Sequence, residues 1–414
     1  MNTFKLIFHK FNRIWKWQGL LIAVSILVLN LMTACGRKDQ LDTEEKPQYW
    51  KYIKALPKPK ETLSRTLRVL IWHDYIDPEI IAYFEKLYDT KIEITFFENN
   101  EDLKNKFAQN PDGFDILMPS DYVVERFRKQ GNVIAPIRKE NIPNLGHISP
   151  ILFQSPYDPE LVYSVPMFYC CLGVSFNSKK VQYVPRNFSL RSKSATENLN
   201  LHGYRALLDE PRVSLSAALL DDGVDPNHPT IDQLNRTANR LIEDAKALGT
   251  HYMASTLPEH LIKNEIMLAV NWSGAAAVAV QKNPAIRFVL PEGKKFIQVD
   301  SFVIPLRAKN KYTAEFFINF LLIPEISGDL TNYSFYANSN QSSSPFISRD
   351  ILLGPAYMEP PTTMRVFFTD LGDMEDNFES TWRQIKSSAP DIKAKVPDLV
   401  KEIEENNLQR DRVR

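Results

Sequence analysis

Glycine is scarce in this chain, with 14 among 414 residues, where about 7% is ordinary. Gly-rich phosphate cradles have little material here. No G-x-G-x-x-G or Walker pattern is present, so nucleotide-driven chemistry is not expected. Net charge is missing as well: Lys+Arg 50 stand against Asp+Glu 50, leaving no global basic field to attract nucleic acid. Three cysteines cannot form a disulfide framework, and no C-x-x-C or H-E-x-x-H spacing offers a zinc site. No metal or cofactor is expected. Only 7 histidines are available as general bases, and no G-x-S-x-G elbow surrounds Ser120 or Ser273. His73 and Asp74 are adjacent, and neighbours on an extended segment point apart, so they need not form an acid–base pair. Catalysis is not the expected activity.

What is present is ordinary globular composition, 44% hydrophobic and 24% charged, with length for two or three domains. The amino terminus reads as a targeting segment. Residues 1–38 contain no acid, and Lys5, Lys10, Arg13 and Lys16 precede an apolar run from Leu20 to Leu29. That run suits a signal h-region and is short for a membrane-spanning helix. It ends at Leu31-Met32-Thr33-Ala34-Cys35, which resembles the bacterial lipobox. A signal peptide over 1–34 and a lipidated Cys35 are expected, with the body held to a membrane by acyl chains. Residues 35–65 read as a tether, because acids, lysines and Pro47, Pro57 and Pro59 favour an extended spacer. Within it, Tyr49-Trp50-Lys51-Tyr52 is expected to pack back on the body rather than enter a membrane interface.

The body reads as alternating strands and helices. Arg68–Trp72 is a β-branched and apolar run, Pro78 opens a helix, and Lys91–Phe97 alternates as a strand. A helix with Leu103 and Phe107 follows, then a strand over 114–118 and a helix stopping at Gly131. This β-α-β-α-β order predicts a parallel sheet with ligand groups at the carboxyl ends of its strands. The run 167–174 carries Cys170 and Cys171, which read as packing residues. Residues 186–200 read as a loop, 302–305 as a strand and 315–322 as a helix.

Three acid-bearing clusters fall at element ends: Trp72-His73-Asp74-Tyr75, Ser120-Asp121-Tyr122 and Asp300-Ser301. Trp272 and Tyr336 stand beside turn-like polar residues. Carboxylates with aromatic planes are what an organic ammonium needs, since a buried cation must be paired and a ring face adds about 0.5–2 kcal/mol.

On these segments the chain resembles the bacterial spermidine/putrescine-binding proteins of ABC transporters. The matching segments include Trp72-His73-Asp74-Tyr75-Ile76, Asp115-Ile116-Leu117-Met118-Pro119-Ser120-Asp121-Tyr122, Tyr163-Ser164-Val165-Pro166, Asn271-Trp272-Ser273-Gly274 and Val299-Asp300-Ser301. The resemblance runs from about residue 66 to the end. It implies an α/β, two-lobed type II periplasmic-binding-protein fold, each lobe a mixed, mainly parallel sheet flanked by helices. It places lobe I at 66–164 plus 300–343 and lobe II at 165–299 plus 344–414, with hinge crossovers near 164 and 300. The implied ligand site comprises Trp72, Asp74, Tyr75, Ser120, Tyr122, Glu210, Trp272, Asp300 and Tyr336. The implied partners are a small cationic amine, an ABC permease and, through Cys35, a membrane, for a monomeric extracytoplasmic protein; nucleic acid is not among them. A sensor or surface lipoprotein on the same fold is the alternative. Three positions depart from the family pattern: Val213 for a glutamate, Gln298 for a tryptophan and Phe368 for a glutamine. The first two favour a ligand with fewer positive charges than a triamine or with an added polar group.

Overall fold

The computed structural model describes residues 48–389, apart from 54, 74, 151, 153 and 154. The expected signal peptide, Cys35 and Asp74 lie outside the described residues. Helices of ten residues or more are numbered below in chain order.

Strand β1 (Thr66–Trp72) forms where apolar and β-branched side chains run without a break. Helix α1 (Pro78–Tyr88) starts where the Asp77 carboxylate accepts the Glu79 N–H and Pro78 occupies a first-turn position that needs no donor. Strand β2 (Lys91–Phe97), α2 (Asn100–Gln109), the brief strand β3 (Ile116–Leu117) and α3 (Asp121–Gln130) follow. Gly131 closes α3 at φ 74°, a left-handed position that favours glycine. Strand β1 pairs in parallel with both β2 and β3, so three carboxyl ends open on one edge. The strand expected over 114–118 is shorter as a ladder, with single backbone bonds from Asp115 and Met118 to β1 extending it on either side.

Two long strands form the centre. Strand β4 (Ser164–Asn177) is buried along its whole length and pairs antiparallel with β9 (Lys295–Val303), from Ser164 opposite Val303 to Cys171 opposite Ile297. The entry to β4 is fixed by Asp158, whose carboxylate gathers the N–H groups of Val162, Tyr163 and Ser164 and the Ser164 hydroxyl. Between β4 and β9 in sequence lie β5 (Arg205–Leu208), α4 (Pro211–Asp221), α5 (Ile231–Leu248), β6 (Thr250–Met253), β7 (Leu268–Trp272), α6 (Ser273–Lys282) and β8 (Ile286–Val289). The strand order β2-β1-β3-β9-β4-β7-β5-β6 puts one set of parallel strands on each side of the β9–β4 pair. This is the two-lobed α/β arrangement. After β9 come α7 (Lys311–Leu321), α8 (Pro324–Ser334), β10 (Ala337–Asn338) on β4, β11 (Arg365–Phe367) on β9, and α9 (Met374–Ser388). The stretch 186–200 is not wholly a loop: Ser194 accepts the Glu197 N–H and starts a short helix, Ala195–Asn200.

From Gln48 the chain is not a free spacer, which corrects the tether expected over 35–65. Tyr49–Tyr52 forms a 3-10 turn whose Trp50 ring is buried and lies 4.5 Å from Tyr83. The Trp50 N–H donates to Asp329 at 2.8 Å, and Tyr49 meets Phe346 edge-on at 5.4 Å. Further on, Pro57 accepts from the Tyr88 hydroxyl, and the Ser64 N–H donates to Thr313 at 2.9 Å. Burying one large aromatic contributes about 1.5–3 kcal/mol, enough to hold the segment on α1, α7 and α8. The aromatic cluster thus packs on the body, with Tyr52 left exposed.

Candidate functional site

The strand-end rule locates the site. Trp72 ends β1, with Tyr75 in the loop after it. Ser120 caps α3 after β3, Tyr122 lies in the first turn of α3, Glu210 caps α4 after β5, and Trp272 ends β7. Asp300 comes from the middle of β9, beside the β4 crossover.

Asp300 is fully buried, yet its oxygens are heavily hydrogen-bonded. The Tyr75 hydroxyl donates to Oδ2 at 2.8 Å, the Ser120 hydroxyl to Oδ1 at 2.7 Å, and the Gln298 amide to Oδ1 at 3.4 Å. Ser120 is itself held by Asn100, whose amide donates to the hydroxyl at 2.9 Å and accepts from the Ser120 N–H at 3.1 Å. Burial pushes the Asp300 carboxyl up to about 6, because these three donors only partly replace lost water. Around it the Tyr75 ring packs 4.8 Å from Tyr336 and 4.9 Å from Phe168. Trp72 lies 4.5 Å from Phe97 and 6.2 Å from Tyr75, with its indole nitrogen unpartnered. Tyr336 is delivered by Phe335, which ends α8 in the left-handed region at φ 63°. The ring approaches Gly274 so closely that a Cβ there would meet its carbons at about 2.5 Å.

A second carboxylate stands at the other end. Glu210 accepts from the Trp272 indole N–H at 3.3 Å and opens on a narrow pocket lined by Asn100, Tyr122, Arg212 and Phe378. Desolvation raises its carboxyl to about 7, and the Asp300 charge adds to the rise. Trp272 packs edge-on to Phe368, which stacks on Phe296 at 4.6 Å. Among the described residues, neither Asp300 nor Glu210 is ion-paired with a cationic side chain. The arrangement is two desolvated acids near enough for one charge to raise the other, with aromatic rings beside each, which suits a cationic ligand.

The structure therefore brings together eight of the nine expected residues, with Asp74 outside the described set. Four further residues escaped the sequence reading. Asn100 lies just past the carboxyl end of β2, where the strand-end rule would have found it. Phe168 and Cys170 face the site from β4, opposite Asp300 and Gln298, but β4 is apolar on both faces and gives no period-two signal. Burial, with the Asp300 charge added, raises the Cys170 thiol and keeps it neutral, as suits a packing residue beside the site. Arg212 is the fourth: its guanidinium lies 5.9 Å from the Tyr122 ring and 5.0 Å from that of Phe368, bringing a buried cation near Glu210. Ser273, the other serine considered, accepts the Cys171 N–H.

Two lobes, a paired-strand crossover and a charged aromatic cleft between them define a solute-binding protein. The model of the bacterial extracellular solute-binding protein family matches residues 79–355, more than half of the chain, and the chain belongs to that family. It is 28% identical over 321 residues to the putrescine-binding periplasmic protein PotF of Escherichia coli (strain K12), covering 74% of this chain and 86% of that one. It is 26% identical over 330 residues to the spermidine/putrescine-binding periplasmic protein of the same organism, covering 78% and 92%. Among solved structures, a putative spermidine/putrescine ABC transporter from Listeria monocytogenes superposes with TM-score 0.70 at 26% identity, covering 78% of this chain and 99% of that one.

Proposed function

We propose that this protein binds a small cationic amine of the putrescine/spermidine type between its lobes and hands it to an ABC permease. The observation that carries this is Asp300: a fully buried carboxylate, walled by Tyr75, Tyr336 and Phe168, with no cationic side chain paired to it among the described residues. The names of the two Escherichia coli relatives, a putrescine-binding and a spermidine/putrescine-binding periplasmic protein, support the same ligand class. The ligand residues are Trp72, Asp74, Tyr75, Ser120, Tyr122, Glu210, Trp272, Asp300 and Tyr336. The lobes are 66–164 plus 300–343 and 165–299 plus 344–414, with the β4 and β9 crossings as the hinge. The protein acts as a monomer and performs no chemistry on its ligand; Ser120 faces Asn100 and Asp300 rather than an imidazole. Cys35 carries the lipid that holds it at the outer face of a membrane.

A thermal-shift screen of the body against amines, amino acids, sugars and anions tests the ligand class. A ligand selective for the folded form raises the melting temperature by mass action. Putrescine or a related amine is expected to do so. A response only to an anion or sugar at millimolar concentration overturns the proposal. For the anchor, Cys35→Ser is expected to abolish acyl labelling and release the protein from membranes, and unchanged labelling overturns it.

A further inference from the structure

We propose that the Gln298 side-chain carbonyl is a ligand acceptor that makes this site select a primary ammonium group over an alkylated one. The inference rests on the amine reading above and deepens it. Gln298 stands two residues before Asp300 on β9, so both side chains project from the same face of the strand. Its amide nitrogen donates to Asp300 Oδ1 at 3.4 Å, which fixes the orientation of the group, since the reverse would set the carbonyl against the carboxylate. The carbonyl oxygen is then buried with no hydrogen-bond partner, on a side chain only 3% exposed. A buried acceptor left unpaired is expensive, and such groups in folded proteins have a reason.

Counting donors and acceptors supplies it. A carboxylate offers roughly four acceptor sites, and Asp300 already takes Tyr75, Ser120 and Gln298. About one site remains for the ligand. A primary ammonium brings three N–H groups and needs a second acceptor beside that site. Gln298 supplies it. A tertiary ammonium brings a single N–H, fills the Asp300 site alone and leaves the Gln298 carbonyl orphaned. An aromatic residue at this position would favour cations through their charge without counting their N–H groups.

The test is a double-mutant cycle by calorimetry: putrescine and its N,N,N′,N′-tetramethyl derivative against wild type and Gln298→Met. Alkylation at both ends prevents the ligand from presenting an unmodified ammonium by reversing itself. Where the derivative is too weak for direct titration, its affinity is read by displacement of putrescine. Gln298→Met is nearly isosteric, and its fold is checked by circular dichroism. Putrescine affinity is expected to fall at least about tenfold in the variant, the loss of one hydrogen bond to a charged group, while the derivative changes less than about twofold. Gln298→Glu retains an acceptor and is expected to keep the preference for the primary amine. Equal changes for both ligands, or unchanged putrescine affinity in Gln298→Met, overturn the inference while leaving the amine reading intact. If no amine binds the wild type, both fall together.

Discussion

The Tyr75 hydroxyl meets the Asp300 carboxylate at 2.8 Å across 225 positions of sequence. One partner lies in the loop after the first strand, the other on the ninth, and the bond closes only when the lobe crossover is complete. Replacing Asp300 by Asn keeps the shape, removes the charge and sets an amide donor among three donors. Putrescine affinity in Asp300→Asn is expected to fall at least about tenfold by calorimetry, since truncating one side of a desolvated ion pair typically costs about 2–5 kcal/mol. The melting temperature of the ligand-free variant at pH 8 should not fall, because a buried uncompensated charge has been removed. Undiminished affinity would take Asp300 out of the site.

Ligand binding and ligand-free stability should respond to pH in opposite directions. Asp300 and Glu210 are raised in the folded state to about 6 and 7 by burial. Between the ordinary carboxylate range and those values the folded protein holds more protons than the unfolded chain. The contribution of these groups to stability is therefore present at low pH and is lost as pH rises through 6 to 7. A cationic ligand needs both acids ionised, so its affinity should strengthen over the same interval. Calorimetry at pH 5.5 and pH 8 in buffers of different ionisation enthalpy should show proton release on binding at the lower pH. Affinity independent of pH would contradict this.

Two contacts cross between the lobes. A methyl group at Gly274 would strike the Tyr336 ring, so Gly274→Ala is expected to weaken putrescine binding and leave the ligand-mixed protein with a larger radius of gyration by X-ray scattering. Across the cleft mouth Glu375 on α9 receives Lys104 from α2 at 2.5 Å and Arg126 from α3. Glu375→Gln should raise the dissociation rate by a modest factor, about two- to tenfold, because partly exposed ion pairs are weak individually. High salt should mimic it in the wild type and act less in the variant, where the partly exposed Lys129–Asp370 pair remains. A wild-type dissociation rate insensitive to salt would argue against the clasp.

Ligand length is the next expectation. Val213 is buried in the core on α4 and does not line the Glu210 pocket, which corrects its expected place in the cleft, whereas the adjacent Arg212 lines that pocket with Glu210. A diamine can place its two charges on Asp300 and Glu210. The extra ammonium of spermidine would approach Arg212 instead. Putrescine is expected to bind more tightly than spermidine in a direct competition, and the reverse ranking would show that Arg212 does not limit the site.

Most of the fold was legible because its signals are local. Asp77-Pro78 marks a helix start, Gly131 a helix stop, and alternation over 91–97 a strand. The site was legible to the extent that strand ends could be found. What could not be read has a common physical cause. Phe168 and Cys170 lie on a strand buried on both faces, where apolar periodicity no longer distinguishes a cleft wall from a core. Arg212 carries no local signal, because its place beside the site depends on Tyr122 and Phe368, each far away in sequence. Beyond the aromatic cluster at 49–52, the segment to Ser64 reads as spacer because its prolines and charges carry no apolar pattern, and it is held by single hydrogen bonds at Pro57 and Ser64 to distant helices.

That pinned segment determines where a pull on the chain would be felt. Any load arriving through residues upstream of Gln48 enters the body at the Trp50–Asp329 and Ser64–Thr313 bonds, on helices α8 and α7. Residues 165–299 make none of these contacts. Whatever lies upstream, a pull on the chain is borne by shear along α1, α7 and α8, and residues 165–299 do not share it.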